Sequence, residues 1–547
     1  FLDKKAPAVF AVSYDPNNPT GIKVPSAKFN QLGFYAQDVW SPNSKFKLTY
    51  GVRVDKPSYP YKPDRNQALE AVTFQNGEKF DVSQFPESKI LISPRVGFNY
   101  DPEGDKSIII RGGTGIFTGR IPFIWLVNQV GDNGVVRAQY QASNTDLASI
   151  VYNPDRLTYI PKNPPTAGTT IPSGSSYSAT VRDFKMPQVW RTNIAFDKRV
   201  APGTVVTLEG IFTKMVNNVF YRNANLGVQT GTLGGADNRP IYNSRLNSNI
   251  NYMAVLDNTN KGGSVALTAM VQKSFSKGWE ASLAYTYTAA FDVAIGSSDQ
   301  ASSGWTTNNT GGNPNAPELG YSNYGVPHRV VGFLSYKFQY LNKTMATTFG
   351  LYYSGSTQDR FSYRYGGDIN GDGNSNDIIY VPKNASEIKF VEGFKSGGVT
   401  YTAQQQSDAF FKYVDNDKYL NRYKGQIMSR YGATLPWVNY VDLRILQDFS
   451  VKMGSKKHTM QVSADITNLL NLISNNWGYR YSYNFGSFQD QALLGLPSSS
   501  NNTGAESFNK ANPKYTFNPA GPAKVYQPSY STGSTWGIQL GLRYIFQ

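Results

Sequence analysis

The feature that most constrains this chain is a strict alternation of short and long connections between segments of two-residue periodicity. About thirteen such segments are legible. They lie near 28–42, 44–56, 89–101, 106–119, 184–199, 203–221, 262–275, 278–292, 327–340, 343–355, 438–452, 457–469 and 534–547. The last is the clearest. Trp536, Ile538, Leu540, Leu542, Tyr544 and Phe546 share one face, and Gly537, Gln539, Gly541, Arg543, Ile545 and Gln547 share the other. Phe46, Leu48, Tyr50, Val52 and Val54 likewise alternate with Lys45, Lys47, Thr49, Gly51, Arg53 and Asp55. Side chains of a strand point to opposite faces in turn, so each segment reads as a strand with unlike sides. Many run to ten residues or more, whereas soluble strands average about five or six. About nine to eleven tilted residues cross a bilayer.

Within successive pairs the connections are tiny: Ser41-Pro42-Asn43, Pro102-Glu103-Gly104, Ala201-Pro202-Gly203, Ser276-Lys277-Gly278, Leu341-Asn342 and Met453-Gly454-Ser455. Between pairs they are long, near 57–88, 120–183, 222–261, 293–326, 356–437 and 470–533. Loops of that length count against a compact soluble domain. Short turns on one rim and long loops on the other are the pattern of an antiparallel transmembrane β-barrel of the bacterial outer membrane. A closed barrel satisfies every backbone group inside lipid. With apolar side chains toward lipid and polar ones toward the lumen, a membrane chain can have a mean hydropathy of −0.42.

Composition narrows the function classes. The 547 residues contain no Cys and two His, so disulfides, thiolate metal sites and His clusters are excluded or disfavoured. No apolar run is long enough for a membrane helix. The formal charge of +15 is scattered rather than clustered, which argues against nucleic acid. The chain begins at Phe1 without a signal peptide, as a processed chain or a fragment does. If the last strand ends in the periplasm, segment 28–42 descends and the first residues start outside. Thirteen strands with such a start describe the C-terminal part of a larger barrel. A fourteenth strand at 6–14 (APAVFAVSY) is the alternative, closing a smaller one.

Several segments carry a resemblance. QLGFYAQDVWSPNSKFKLTYGVRVD (31–55), SPRVGFNYD (93–101), RGGTGIFTGR (111–120), YGVPHRVVGFLSYKF (324–338), VDLRILQDF (441–449), ADITNLLN (464–471) and the terminal GLRYIFQ resemble TonB-dependent receptors. They are most similar to the Oar-like subgroup, common in Bacteroidetes and myxobacteria. The resemblance implies a barrel of 22 strands, of which these would be the last thirteen, with the plug domain and TonB box absent from residues 1–547. It also implies import of a large or scarce ligand, driven through the TonB complex. A structural barrel subunit, docking lipoproteins or secretion components of an outer-membrane complex, is the other reading. No catalytic residue is expected.

One motif points to a cofactor. GGDINGDGNSND places Asp368, Asn370 and Asp372 at positions one, three and five, with Gly373 at six, as in an EF-hand-like loop. Asn374, Asn376 and Asp377 complete a candidate oxygen set for a structural Ca2+ that staples the 356–437 loop. Position twelve is Ile379 rather than Glu, and an Asx/Gly turn without metal is the plain alternative.

Other residues are ambiguous. Trp40, Trp279, Tyr340 and Phe546 at one rim, and Tyr353, Trp437 and Trp536 at the other, fit interfacial aromatic girdles. Loop aromatics Trp125, Trp305, Tyr363, Tyr365, Trp477 and Tyr481 are candidates for ligand contact. Lumen-facing Lys47, Arg53, Arg95, Arg111, Arg444 and Arg543 either guide an anion or pair with acids such as Asp442, Asp448 and Asp465, or with a plug. Basic loop residues suit lipopolysaccharide phosphates. His328 and His458 read as structural.

Overall fold

A ribbon with one apolar and one polar face leaves its backbone groups unpaired until a second ribbon lies beside it. The computed structural model describes residues 10–15, 18, 23–141, 147, 150–151, 153–160, 167–294, 299–484 and 490–546. Thirteen long strands pair in chain order into one antiparallel sheet. They are β1 (Asn30–Asn43), β2 (Phe46–Ser58), β3 (Leu91–Tyr100), β4 (Ile108–Thr118), β5 (Gln188–Ala201), β6 (Thr204–Asn223) and β7 (Gly263–Ser276). The rest are β8 (Trp279–Asp292), β9 (His328–Tyr340), β10 (Met345–Thr357), β11 (Trp437–Met453), β12 (Lys456–Thr467) and β13 (Gly537–Phe546). These are the thirteen segments read from the sequence. Among the described residues β1 and β13 each pair on one side only, so the sheet has two free edges.

Register keeps the two faces separate from strand to strand. Phe34 lies opposite Val54, which lies opposite Ile92, and Leu542 lies opposite Val462. On the other face Arg111 lies opposite Ala195, which lies opposite Glu209, and Arg444 lies opposite Asp465. A slip of one residue would exchange the faces. Each short turn closes with little chain. Lys277 and Gly278 have φ of 50° and 88°, the consecutive left-handed pair that a tight hairpin favours.

The long connections are not structureless. They fold into a layer over one rim, with three apolar cores of their own among the described residues. The largest gathers Leu233, Phe361, Tyr363, Phe410, Val414 and Phe517 from three different connections. A second joins Leu126, Phe184, Tyr221, Leu256 and Trp305, and a third joins Leu69, Tyr177 and Met253. The helix Ala403–Asn416 begins with a capping box between Thr402 and Gln405 and buries Gln406, Phe410, Tyr413 and Val414. β6 continues past the rim to pair with Ile250–Thr259, which pairs in parallel with Ser175–Thr180. One expectation is corrected here. Of the alternative strand 6–14, residues 10–14 are described, and Ala11–Tyr14 pairs with Ala138–Gln141 and not with the wall, so the described residues add no fourteenth wall strand there. Residues 6–9 lie outside the described residues.

Candidate functional site

The Asp-Asn turn sits deep in the layer. Arg360–Tyr365 runs parallel to Asp490–Leu494, and its alternate residues Phe361, Tyr363 and Tyr365 enter the largest core. The chain then doubles back through glycines. Gly371 and Gly373 hold φ of 84° and 93°, and a Cβ at Gly371 would strike Lys510 Nζ and Tyr242 O. Side-chain oxygens organise the bend. Asp368 accepts from Gly371 N at 2.6 Å and Gly373 N at 2.8 Å. Asn370 accepts from Asp372 N at 2.8 Å, and Asp372 accepts from Asn374 N at 2.7 Å.

The turn is buried and acidic. Asn370, Asp372, Asn374, Asn376 and Asp377 are all buried. Burial, then the charges of Asp377 and Asp368, push the Asp372 carboxyl up to about 7. Asp377 is also raised by burial, to about 6, and Arg239 opposes that rise. Arg239 has a fully buried side chain. It donates to Asp237 at 2.9 Å, to Asp377 at 3.1 Å and to Ile378 O at 2.6 Å. Tyr365 closes this network by donating to Asp237 at 3.0 Å.

These residues divide when matched to a cation. Asp368, Asn370, Asp372 and Asn374 present hard oxygens on one bend, and Asn376 Oδ1 is buried without a hydrogen-bond partner among the described residues. Asp377 is instead committed to Arg239. Among the described residues no three His, Asp or Glu side chains are gathered to hold a metal ion. A cation here would therefore depend on amide and carbonyl oxygens as well.

The loop aromatics part company. Trp305, Tyr363 and Tyr365 are buried in the layer's cores. Trp125 packs edge-on against Tyr221, and Tyr481 against Tyr526. Trp477 is exposed. At the layer's base Arg430 donates to Asp292 at 2.8 Å and Asn308 at 2.7 Å, tying it to the end of β8.

On the polar face of the wall, part of the charge is paired. Arg53 holds Asp55 through two bonds of 2.8 Å. Arg111 reaches Asp197 at 3.0 Å and Glu209 at 3.6 Å, and Arg444 pairs with Asp465. Asp448 meets Lys337 at 3.4 Å, and Asp442 accepts from Asn468 N at 2.8 Å. Lys47, Arg95 and Arg543 have no such carboxylate among the described residues, and neither has Arg191, which the sequence reading did not single out. Its place opposite Gly115, next to outward-facing Trp190, was available from the alternation.

The apolar face bears the strand-end aromatics. Trp40, Trp279, Trp536 and Phe546 are exposed. Tyr353 and Trp437 both donate to Asn439 Oδ1, at 2.7 and 2.8 Å. His328 bonds Tyr285 at 2.8 Å on this face, and His458 bonds Tyr544, neither beside a carboxylate in an ion pair among the described residues.

The model of one family, described as outer membrane beta barrel domain, matches residues 13–502. The chain belongs to that family. The apolar face of this outer membrane β-barrel domain is therefore its lipid face, the polar face lines the lumen, and the long-loop rim is extracellular. No curated protein matches the domain. Among solved structures it is similar to the FrpB iron transporter from Neisseria meningitidis (F3-3 variant), at 9% identity and a TM-score of 0.39, covering 95% of this chain and 46% of that one. The outer membrane transporter YddB from Escherichia coli matches at 8% identity and a TM-score of 0.38, covering 95% and 54%. The copper transporter OprC matches at 9% and 0.37, covering 90% and 47%. The chain thus spans about half the length of these structures. Its membership in the family rests on the family model, not on these likenesses.

Proposed function

We propose that this β-barrel domain is part of a TonB-dependent receptor of the Oar-like kind, which binds a large or scarce ligand outside the cell and passes it through the barrel lumen. The observation that carries this reading is an open wall of thirteen strands topped by a folded extracellular layer. Free edges of β1 and β13 in lipid would leave backbone donors and acceptors unsatisfied, and in this reading further strands complete the barrel. Barrels of about eight strands are filled by side chains, whereas wider ones enclose a channel or a plugged lumen. A layer with its own apolar cores supplies a firm binding surface, as side chains on rigid elements do. The test compares uptake from pooled peptides, glycans and siderophores in cells lacking the gene, cells lacking TonB and the parent strain. The same ligand should be lost in both deletions. Unchanged uptake, together with a lipoprotein that copurifies with the barrel, would replace this reading with the scaffold one.

In the same reading the 368–377 turn binds a structural Ca2+ through Asp368, Asn370, Asp372, Asn374 and Asn376, while Asp377 serves Arg239. The cation's charge would offset the mutual repulsion of Asp368 and Asp372 and brace the 356–437 connection. Millimolar Ca2+ should raise the melting temperature of the layer, EGTA should reverse the rise, and Asp372→Asn should abolish the difference. A melting temperature indifferent to Ca2+ in the parent protein rejects the site.

A further inference from the structure

On the lumen wall three arginines have a carboxylate: Arg53 has Asp55, Arg111 has Asp197 and Glu209, and Arg444 has Asp465. Arg95 of β3 and Arg191 of β5 have none among the described residues. They face each other across one residue of the strand between them, because Gly115 of β4 lies opposite both. Gly115 puts no side chain between the two arginine positions. A Cβ there would come within 2.8 Å of Arg95 Cβ. One step along the strands, Gly97 lies opposite Gly113 and Gly113 opposite Asn193, so the floor beside the arginines is also bare. The result is a depression of about 240 Å³ whose lining includes Thr49, Arg95, Gly113, Arg191 and Asn193, with the ring of Phe117 as an apolar side. Arg191 Nε donates to Thr213 Oγ1 at 3.2 Å on β6, the neighbour on the side away from Arg95, and the bond leaves both terminal nitrogens for another acceptor. Among the described residues Lys47 and Arg543 on the same face have no second unpaired cation across one strand, while Lys452 and Lys457 lie directly opposite each other with no glycine strand between them.

We propose that Arg95 and Arg191 form an anion-binding pincer in the lumen wall, which takes a carboxylate or phosphate group of the transported ligand. The proposal rests on the receptor reading above. Strands stand about 4.8 Å apart, so the two side chains arise about 10 Å from each other, a span that one anionic group can bridge with a guanidinium on either side. Two like charges facing one hollow repel, and an anion between them turns that repulsion into two charge-assisted contacts. The bare glycine floor lets the group approach the wall, with Asn193 and Thr49 as further polar contacts. The concavity distinguishes this place from the paired cations elsewhere, whose guanidinium groups are already occupied.

The experiment uses the full-length receptor in detergent, with inorganic pyrophosphate as the probe, by titration calorimetry at low ionic strength. Citrate as competitor reports whether carboxylates share the site. Arg95→Gln and Arg191→Gln should each weaken pyrophosphate binding by about tenfold, the loss of one charge-assisted contact. Arg543→Gln makes the same charge change on the same face and should stay within about twofold, since a general field is not what binds. Each variant is first shown to keep the heat-dependent gel mobility of a folded barrel. Arg95→Lys and Arg191→Lys serve where a Gln variant does not fold, and should weaken binding by losing the planar fork. Absence of binding to the parent protein overturns the pincer, as it would if another segment of the receptor filled the hollow. An equal fall in all three variants, or in none, overturns it too. Uptake is read separately in cells, so a protein that binds no pyrophosphate yet imports its ligand through TonB removes the pincer and leaves the receptor reading standing.

Discussion

In the barrel wall the large apolar side chains are the exposed ones: Leu540 and Phe34 show 76% and 74% of their surface. In the layer above it they are the hidden ones, and Phe410, Val414 and Tyr363 show none. The same residue types are placed by opposite solvents. Lipid accepts the wall's outer face, so the wall needs only pairing and register, while inward-facing charges such as Arg111 and Arg444 pair with carboxylates of the same face. The extracellular layer stands in water and must gather apolar groups from distant connections into cores, as a soluble protein does. Thus one chain contains a two-dimensional fold, stabilised by its backbone ladder and the bilayer, and a three-dimensional one stabilised by burial.

The contrast can be broken at several points. The largest effect is expected in the layer. Phe410→Ala removes a fully buried ring and should cost about 3–5 kcal/mol. It should lower a melting transition of the layer, seen by protease sensitivity within 356–437, while the heat-dependent gel mobility of the wall is unchanged. A simultaneous loss of both would show that wall and layer are one cooperative unit. Next, Leu540→Arg on the lipid face should cost about 2–4 kcal/mol if the site lies near the bilayer midplane. Gln539→Arg, one residue away on the lumen face, should be tolerated. Equal damage from the two would refute the assignment of faces. The smallest effect is one of pH. The Asp372 carboxyl is raised from its ordinary 3.8 to about 7 in the folded layer. A raised acid favours the folded state when protonated, so stability falls as pH rises from about 4 to about 7 and is flat above. The slope is at most about 1.4 kcal/mol per pH unit for one proton. With EGTA present, the layer should melt at a higher temperature at pH 6 than at pH 8, and Asp372→Asn should flatten the difference.

The wall was legible because its rule is local. Alternation such as Ile538, Leu540, Leu542 and Tyr544 states both the strand and its outward face, and short turns such as Lys277-Gly278 state which neighbours pair. The layer was not, because its cores obey no short period. Tyr363 and Tyr365 alternate as a strand should, yet nothing nearby says that their pocket is completed by Leu233, Phe410 and Phe517. The parallel pairing of Arg360–Tyr365 with Asp490–Leu494 joins segments that no turn relates. The acidic turn was visible through its spacing, and its glycines have the left-handed torsions that the bend needs. Its counter-charge was not visible: Arg239 stands 138 residues before Asp377 in the chain. Arg191 was overlooked beside Trp190, although only its opposition to Arg95 across Gly115 gives it meaning.

The joints of the layer set an order of events. Arg222 bonds Glu78 across 144 residues, and Asn315 bonds Gln75 across 240. Contacts of such sequence separation are slow to close, because chain entropy must be lost before they return any energy. The strand pairs of the wall can zip as neighbouring hairpins, but the layer can set only after hairpins far apart in synthesis have been brought round the rim. It is therefore expected to act as the final latch of barrel assembly. A barrel stalled halfway should betray itself by loops that a surface protease cuts, and the finished one by their resistance.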